Sequence, residues 1–283
     1  AYNYEKKCKI YFVLVDHNLR KNSSREAKSV KKLLKKNKIT LNILKNKKII
    51  NKNIQSQARE IRYNLITNFC RKNKIKNILT AHNLEDQVET FFIRLSRGSG
   101  LQGLSSMRQV NKINTKINLV RPLLDLKKKD LIKISKTIFG RYFKDPSNKD
   151  KKYLRTRIRN LKPVLEKSGI NYDQIIRSVK NLASSRDTLD FYFTKIYKEA
   201  VTNKKNKILI NLSYFNILNK EMRMRVFNQS IKDLTHDYYS PRSKKIFNLI
   251  AQIKSKQNVK LHLAGCAILK GKNHIILQKE KKK

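Results

Sequence analysis

Asp86, Glu89 and Thr90 stand three and four residues apart in the segment LEDQVETFFIRL, a spacing that puts all three on one face of a helix. A carboxylate pair so placed can grip an ammonium group and help to remove its proton. The same acids in a helix's first turn also favour its macrodipole, so spacing alone leaves a structural role open. His82 lies just before them, at the end of a short apolar run, where a polar side chain would face a ligand; a lone histidine can equally be structural. After the helix come Arg97, Gly98, Gly100 and Gly103, and these hold three of the chain's seven glycines. Such clustering predicts a backbone at positive φ or in close approach to a ligand. Phosphate or RNA backbone held by N–H groups and Arg97 is the expected chemistry, while Gly98 alone could be a left-handed helix cap.

Further cations follow. Arg155, Arg157 and Arg159 come after a turn at Asp145-Pro146-Ser147-Asn148, with only Asp145 and Asp150 as nearby acids. Three guanidiniums with so few partners point to phosphate binding. Arg59 and Arg62 precede and flank Tyr63; Arg62 could face a sheet edge or water. Asp16 and His17 close the run Ile10 to Val15. Its continuous apolar character predicts a strand buried on both faces, and ligands bind at the carboxyl ends of such strands.

The elements that must position these residues alternate between strand and helix in the first half, as a parallel α/β sheet requires. Ser23 and Glu26 have capping-box spacing and open a helix through about Lys36, with Val30, Leu33 and Leu34 inward. A second helix is expected over Ser56 to Lys72 and a strand over Asn77 to Ala81. A third helix should run from Leu84 to about Arg97 with Val88, Phe91, Phe92 and Leu95 as its core face. Pro163 and Gly169 mark a boundary or bent connection near residues 160 to 172, and a long helix follows from Tyr172 to about Ala200. The remainder reads as α+β. Strands are expected at Ile208 to Leu212, Val259 to Leu263, Ala267 to Leu269 and Ile275 to Leu277, with a turn at Gly271 to Asn273 and a helix opened by Pro241 through Ile253.

The chain has 283 residues, 39% of them hydrophobic, enough for one large or two modest cores. Its 67 Lys+Arg against 20 Asp+Glu give a net charge of +47, which makes a polyanion the natural partner. The abundance of Lys, Asn and Ile without Trp is also what an A+T-rich coding sequence imposes. Cys8, Cys70 and Cys266 form no CxxC pair, so neither a disulfide framework nor a zinc site is expected and a reducing cytoplasm fits. No apolar run approaches the roughly 20 residues needed to cross a bilayer, so no membrane association is expected.

Taken together, VDHNLR (Val15 to Arg20), QAREIRY (Gln57 to Tyr63), AHNLEDQVET (Ala81 to Thr90), RLSRGSGLQGL (Arg94 to Leu104), RPLL (Arg121 to Leu124), DPSN and RTRIR (Asp145 to Arg159) resemble the tRNA(Ile)-lysidine synthetases of the PP-loop ATP pyrophosphatase superfamily. The resemblance implies an α/β fold of the PP-loop, adenine nucleotide alpha hydrolase-like type. A parallel sheet with helices on both faces would occupy residues 1–165, and a smaller helical and α+β tRNA-binding domain residues 166–283. It implies adenylation of C2 of the wobble cytidine in the CAU anticodon of tRNA(Ile) with ATP and Mg²⁺, then displacement of AMP by free L-lysine. By the same resemblance Asp86 and Glu89 hold the lysine and Arg62 lies against the adenylate phosphate. His82, Asp16, His17, Arg97, Gly98 and Gly100 border the reacting site, and Arg155, Arg157, Arg159, Arg242 and Lys244 face tRNA. No protein-held metal is implied, and a homodimer is left open. The family's SGGxDS phosphate loop does not occur in the 283 residues, and Asn83 and Thr156 replace a usual His and Asn. The expectation is a synthetase whose first strand, loop and helix lie upstream of Ala1; the alternative is a basic tRNA-binding remnant without ATP chemistry.

Overall fold

The alternation of apolar runs with amphipathic segments folds, in the computed structural model, into two units. One comprises the residues up to Ser99 together with Ser106–Arg177, and the other Gly100–Ser105 with Ser178–Lys283. The structure describes residues 9–20, 22–48, 50, 54–114, 116–143, 150, 152–235, 241, 243–255 and 259–280. Cys8, Arg242 and the expected turn at 145–148 lie outside them.

In the first unit β1 (Phe12–Asp16), α1 (Ser23–Lys36), β2 (Leu41–Lys45), α2 (Ile54–Lys72), β3 (Asn77–Leu79) and α3 (Leu84–Leu95) follow one another. β1 and β2 pair in parallel, Asp16 opposite Lys45. β5 (Asn118–Val120) pairs parallel with β3 and antiparallel with β4 (Val110–Lys112). The expected parallel sheet is therefore present as two pieces, one of them mixed. Among the described residues β1 and β3 each pair on one side only, and Phe12 and Leu79 are exposed there. α2 serves both pieces: Phe69 packs edge-on against Tyr11, ring centroids 5.7 Å apart, and Ile66 and Cys70 pack with Ile78 and Leu119.

The caps differ in part from expectation. α1 is preceded by Asn22 without a side-chain cap bond, and Glu26 pairs instead with Arg20 at 3.0 Å, because an arginine within reach competes for the carboxylate. On the face of α3, Val88 is fully buried while Leu95 is exposed, since the helix ends there rather than at Arg97. The unit continues through α5 (Lys128–Phe139), α6 (Leu154–Asn160) and α7 (Lys162–Lys167). The bent connection is α7, closed by Gly169 at φ 78°.

Helix α8 (Tyr172–Ala200) has the expected bounds, and the division between the units falls within it, after Arg177. The second unit also takes the six-residue excursion holding α4 (Leu101–Leu104). Ser105 accepts a hydrogen bond from buried Arg186 at 2.9 Å, and Gln102 donates to Asp190 at 3.0 Å. β6 (Val201–Lys204), β7 (Lys207–Asn211), α9 (Leu212–Ile217), α10 (Lys220–Thr235), α11 (Ser243–Ser255), β8 (Lys260–Leu263), β9 (Cys266–Lys270) and β10 (His274–Lys279) complete it. The five strands form an antiparallel sheet in the order β6-β7-β10-β9-β8. Period-two alternation puts Ile208, Ile210, Cys266, Ile268, Ile275 and Leu277 on one face, packed with Val226, Phe227 and Ile231 of α10 and Ile246 and Ile250 of α11. α11 starts at Ser243, so Pro241 precedes the helix instead of opening it.

Candidate active site

The carboxyl ends of β3 and β5 and the amino end of α3 meet in the first unit. Thr80 N–H donates to Val120 O at 2.9 Å, continuing the β3–β5 pairing toward His82. Asn83 caps α3: its Oδ1 accepts from Asp86 N–H and Asp86 Oδ2 accepts from Asn83 N–H, both at 3.1 Å. This capping box is the physical reason that Asn suits position 83. It also fixes Asp86 half-buried at the helix mouth.

His82 is bonded through Nδ1 to Thr80 Oγ1 at 2.9 Å. Burial pushes its pKa down to about 4; Asp86 opposes this, and the charges of Arg121, Arg59 and Arg155 reinforce it. The imidazole is thus neutral at pH 7, with one carboxylate and three guanidiniums close enough to act on it. Arg59 and Arg62 both reach the ring of Tyr63, at 5.0 and 5.6 Å. Arg62 also helps, after burial, to hold His17 below its ordinary pKa. Neighbouring turns of α2 therefore address the ends of both β1 and β3.

At the end of β1, Asp16 accepts from Ser24 Oγ at 2.6 Å and from Asn18 N–H at 3.0 Å. Burial draws its pKa upward, and these bonds together bring it below the usual carboxylate range. Asp16 is thus a buried, hydrogen-bonded turn residue. His17 stands beside it with Nδ1 enclosed and without a hydrogen-bond partner.

Glu89, the second acid of the expected pair, is engaged by arginines. It is 1% exposed, bonded to Arg159 through both oxygens, with Nη2 3.1 Å from Oε2 and Nε on Oε1, and Arg155 Nε lies 4.0 Å away. Helical geometry puts Arg155 and Arg159 on the same face of α6 and Arg157 on the other. Three arginines read as one phosphate cluster thus divide: Arg159 is committed to an acid 70 residues away in sequence, and Arg157 is exposed. Burial holds the Glu89 carboxyl above its ordinary range even with Arg159 bonded to it. Of the two acids, Asp86 is the one left at the mouth.

Arg97 and Gly98 lie past the far end of α3, roughly 16 Å from Asp86 along the helix axis, and Gly100 falls in the second unit. Gly98 N–H donates to Leu95 O at 2.9 Å and Ser99 N–H to Arg94 O at 3.0 Å, a Schellman cap with Gly98 at φ 65°. Gly100 has φ −78° and open space where a Cβ would sit, so of this pair only Gly98 needs its freedom for the fold. The returning chain is tied to α3 through Gln87, which donates to Met107 O at 3.0 Å and accepts from Met107 N–H at 2.8 Å. Lys244 lies on α11 of the second unit. Thr80, Gln87 and Arg121 carried no role in the sequence reading; the only signal was Arg121 opening the RPLL run.

Among the described residues no group of three or more His, Cys, Asp or Glu is placed to hold a metal ion, and no helix is long and apolar enough to cross a membrane.

Residues 1–165 match the PP-loop domain family. The chain is 35% identical to the tRNA(Ile)-lysidine synthase of Wolbachia pipientis wMel over 98% of its own length and 66% of that protein. It is 32% identical to that of Wolbachia sp. subsp. Brugia malayi (95% and 63%) and 30% identical to that of Orientia tsutsugamushi (99% and 65%). The chain thus spans about two thirds of the length of these curated relatives. Among solved structures, the U34-tRNA thiolase NcsA from Methanococcus maripaludis with its [4Fe-4S] cluster aligns with a TM-score of 0.50 at 16% identity, over 64% of this chain and 65% of that one, a likeness of fold alone. With its parallel β-α elements, its site at their carboxyl ends and a family match over its first 165 residues, the chain belongs to the PP-loop domain family.

Proposed function

We propose that this chain carries the synthetase and tRNA-facing parts of a lysidine-forming ligase, joining lysine to C2 of the wobble cytidine of the CAU anticodon of tRNA(Ile) at the expense of ATP. The observation that supports the reading is the meeting, at the carboxyl end of β3 and the capped mouth of α3, of His82 and Asp86, with Arg59, Arg121 and Arg155 near enough to act on the imidazole. A substrate set with an ammonium, phosphates and a developing negative charge needs both signs in one place. Asp86 orients the lysine ammonium and helps to remove its proton. Arg62 lies toward the adenylate phosphate, where it offsets charge developing as AMP leaves. Glu89 holds Arg159 and Arg155 in position rather than touching lysine. Arg97 with Gly100, and the exposed Arg157, serve the RNA backbone, with Lys244 and Arg242 as further tRNA contacts.

The one-sided edges of β1 and β3 support a further strand between them, the place this reading gives to the strand that leads into a phosphate loop. Mg²⁺ would arrive on the phosphates of ATP, and no step depends on a protein-held metal.

The test is ATP-dependent incorporation of labelled lysine into a tRNA(Ile) transcript with a CAU anticodon by the natural full-length protein. Asp86→Ala should abolish incorporation and leave tRNA affinity within about threefold, because the acid acts on the amine and not on RNA. An equal loss of tRNA binding would remove Asp86 from that role.

A further inference from the structure

Arg121 follows β5 directly and is 3% exposed. Its Nη1 donates to Arg108 O at 2.8 Å and to Asn111 Oδ1 at 3.1 Å. Its backbone N–H donates to Gln109 O at 2.8 Å. All three acceptors are neutral, and Nε is enclosed without a partner. Among the described residues no carboxylate pairs with this guanidinium. Buried charges are ordinarily paired, because an uncompensated one costs far more than a neutral side chain in the same space. Other enclosed arginines of the chain do have acids: buried Arg225 has Asp190 and Glu221, and Arg159 has Glu89. Fastening Arg108 and Asn111 to β5 needs only a donor, not a full positive charge.

The place of the charge matters as much as its isolation. Arg121 stands at the carboxyl end of β5, beside the end of β3, the edge at which open α/β sheets receive ligands. It is close enough to His82 to act on it, as Asp86 is. An acid whose cap leaves it half-buried and a cation that lacks an acid therefore both act on one imidazole.

We propose that Arg121 is the counter-charge for an oxyanion of a small ligand bound beside His82, so that the site completes the buried ion pair only when the ligand is present. This rests on the lysine-ligase reading, which offers two sources of that oxyanion, the α-carboxylate of lysine and a phosphate of the adenylate. In either case Asp86 and Arg121 take opposite charges, and the site selects for ligands by the sign as well as the shape of their ends.

Arg121→Gln, which keeps a donor but loses the charge, and Arg121→Lys, which keeps the charge, are compared in the natural full-length protein. Substrates are lysine, cadaverine, which is lysine without its carboxylate, and ATP. If the carboxylate is the ligand group, Arg121→Gln raises KM for lysine at least about tenfold while KM for cadaverine and ATP stays within about twofold. If a phosphate is, KM for ATP rises by a similar factor and the preference for lysine over cadaverine is unchanged. Arg121→Lys recovers most of the loss in both cases.

A second readout is independent of turnover: the NMR signals of the His82 imidazole on addition of lysine, cadaverine or inorganic pyrophosphate. The oxyanion should shift His82 in the wild type and in Arg121→Lys but not in Arg121→Gln. Were the wild type to transfer no lysine yet show this shift, the ligase reading would fail and the role of Arg121 would stand. No selective change in any KM, with His82 shifts unaltered by Arg121→Gln, would make Arg121 a structural residue and overturn the proposal.

Discussion

Burial and nearby guanidiniums hold the His82 imidazole neutral, and that neutrality sets how the fold responds to acid. Its place at a strand end was legible; its neutrality was not, because the shift comes from burial and from guanidiniums on α2, on α6 and just past β5 that converge only in the fold. The same holds for Glu89, whose spacing from Asp86 specifies a shared helix face but not a partner 70 residues away. It is fully buried where Asp86 is half-buried. A consequence for stability follows from His82. Its pKa is about 4 in the folded chain against an ordinary 6.5. Below pH 6.5 the unfolded chain therefore takes up a proton that the folded chain refuses, and stability is lost progressively as pH falls from about 6.5 to about 4. Imidazole NMR should find the midpoint of His82 near 4. Denaturant unfolding should show His82→Asn losing less stability than the wild type between pH 7 and pH 5. A midpoint near 6.5 would mean that the site is open to water.

At the scale of elements, long amphipathic stretches were read most faithfully. α1 and α8 have their expected ends, and α2 begins two residues early at Ile54, because apolar periodicity over four or more turns leaves few alternatives. Short elements escaped. β2, β4, β5 and β6 are three to five residues long, too short for a period to declare itself, and β2 and β5 take parallel partners about 30 to 40 residues away, while α6 has an apolar face of only Leu154 and Ile158. The glycine loop separates two reasons for the same residue. Gly98 closes a Schellman cap at positive φ, so Gly98→Ala should destabilise the fold by about 1 kcal/mol. Gly100 has an ordinary φ and no atom within 4 Å of a Cβ position, so Gly100→Ala should leave the melting temperature within about 1 °C. If the loop receives RNA backbone at Gly100, that second variant should nonetheless weaken tRNA binding several-fold, a loss of affinity without a loss of stability. Unchanged affinity in Gly100→Ala would assign the glycine no contact with RNA.

The whole molecule carries a charge of +47, and among the described residues only Arg121, Arg186 and Arg225 of its lysines and arginines are buried. Composition alone could not divide drift from function, since solvated lysines and phosphate-binding lysines look alike in sequence. Salt can divide them, because the two act on stability in opposite senses. Without a polyanion, like charges repel across the surface, and raising ionic strength shortens their reach from about 30 Å at 0.01 M to about 8 Å at 0.15 M. The melting temperature of the free protein should therefore rise over that range. With tRNA bound, the folded state gains stability by mass action, and that gain shrinks with salt as about 0.7 to 0.9 of a counterion per phosphate contact no longer favours binding. The two melting curves should converge as salt increases, from a wide gap at low ionic strength to a narrow one near 0.3 M. Replacing exposed Arg157 by Ala should flatten only the tRNA-bound curve. If instead the free protein melts at the same temperature throughout while tRNA adds a constant increment, the positive charge is balanced locally and RNA is held by contacts that are not ionic.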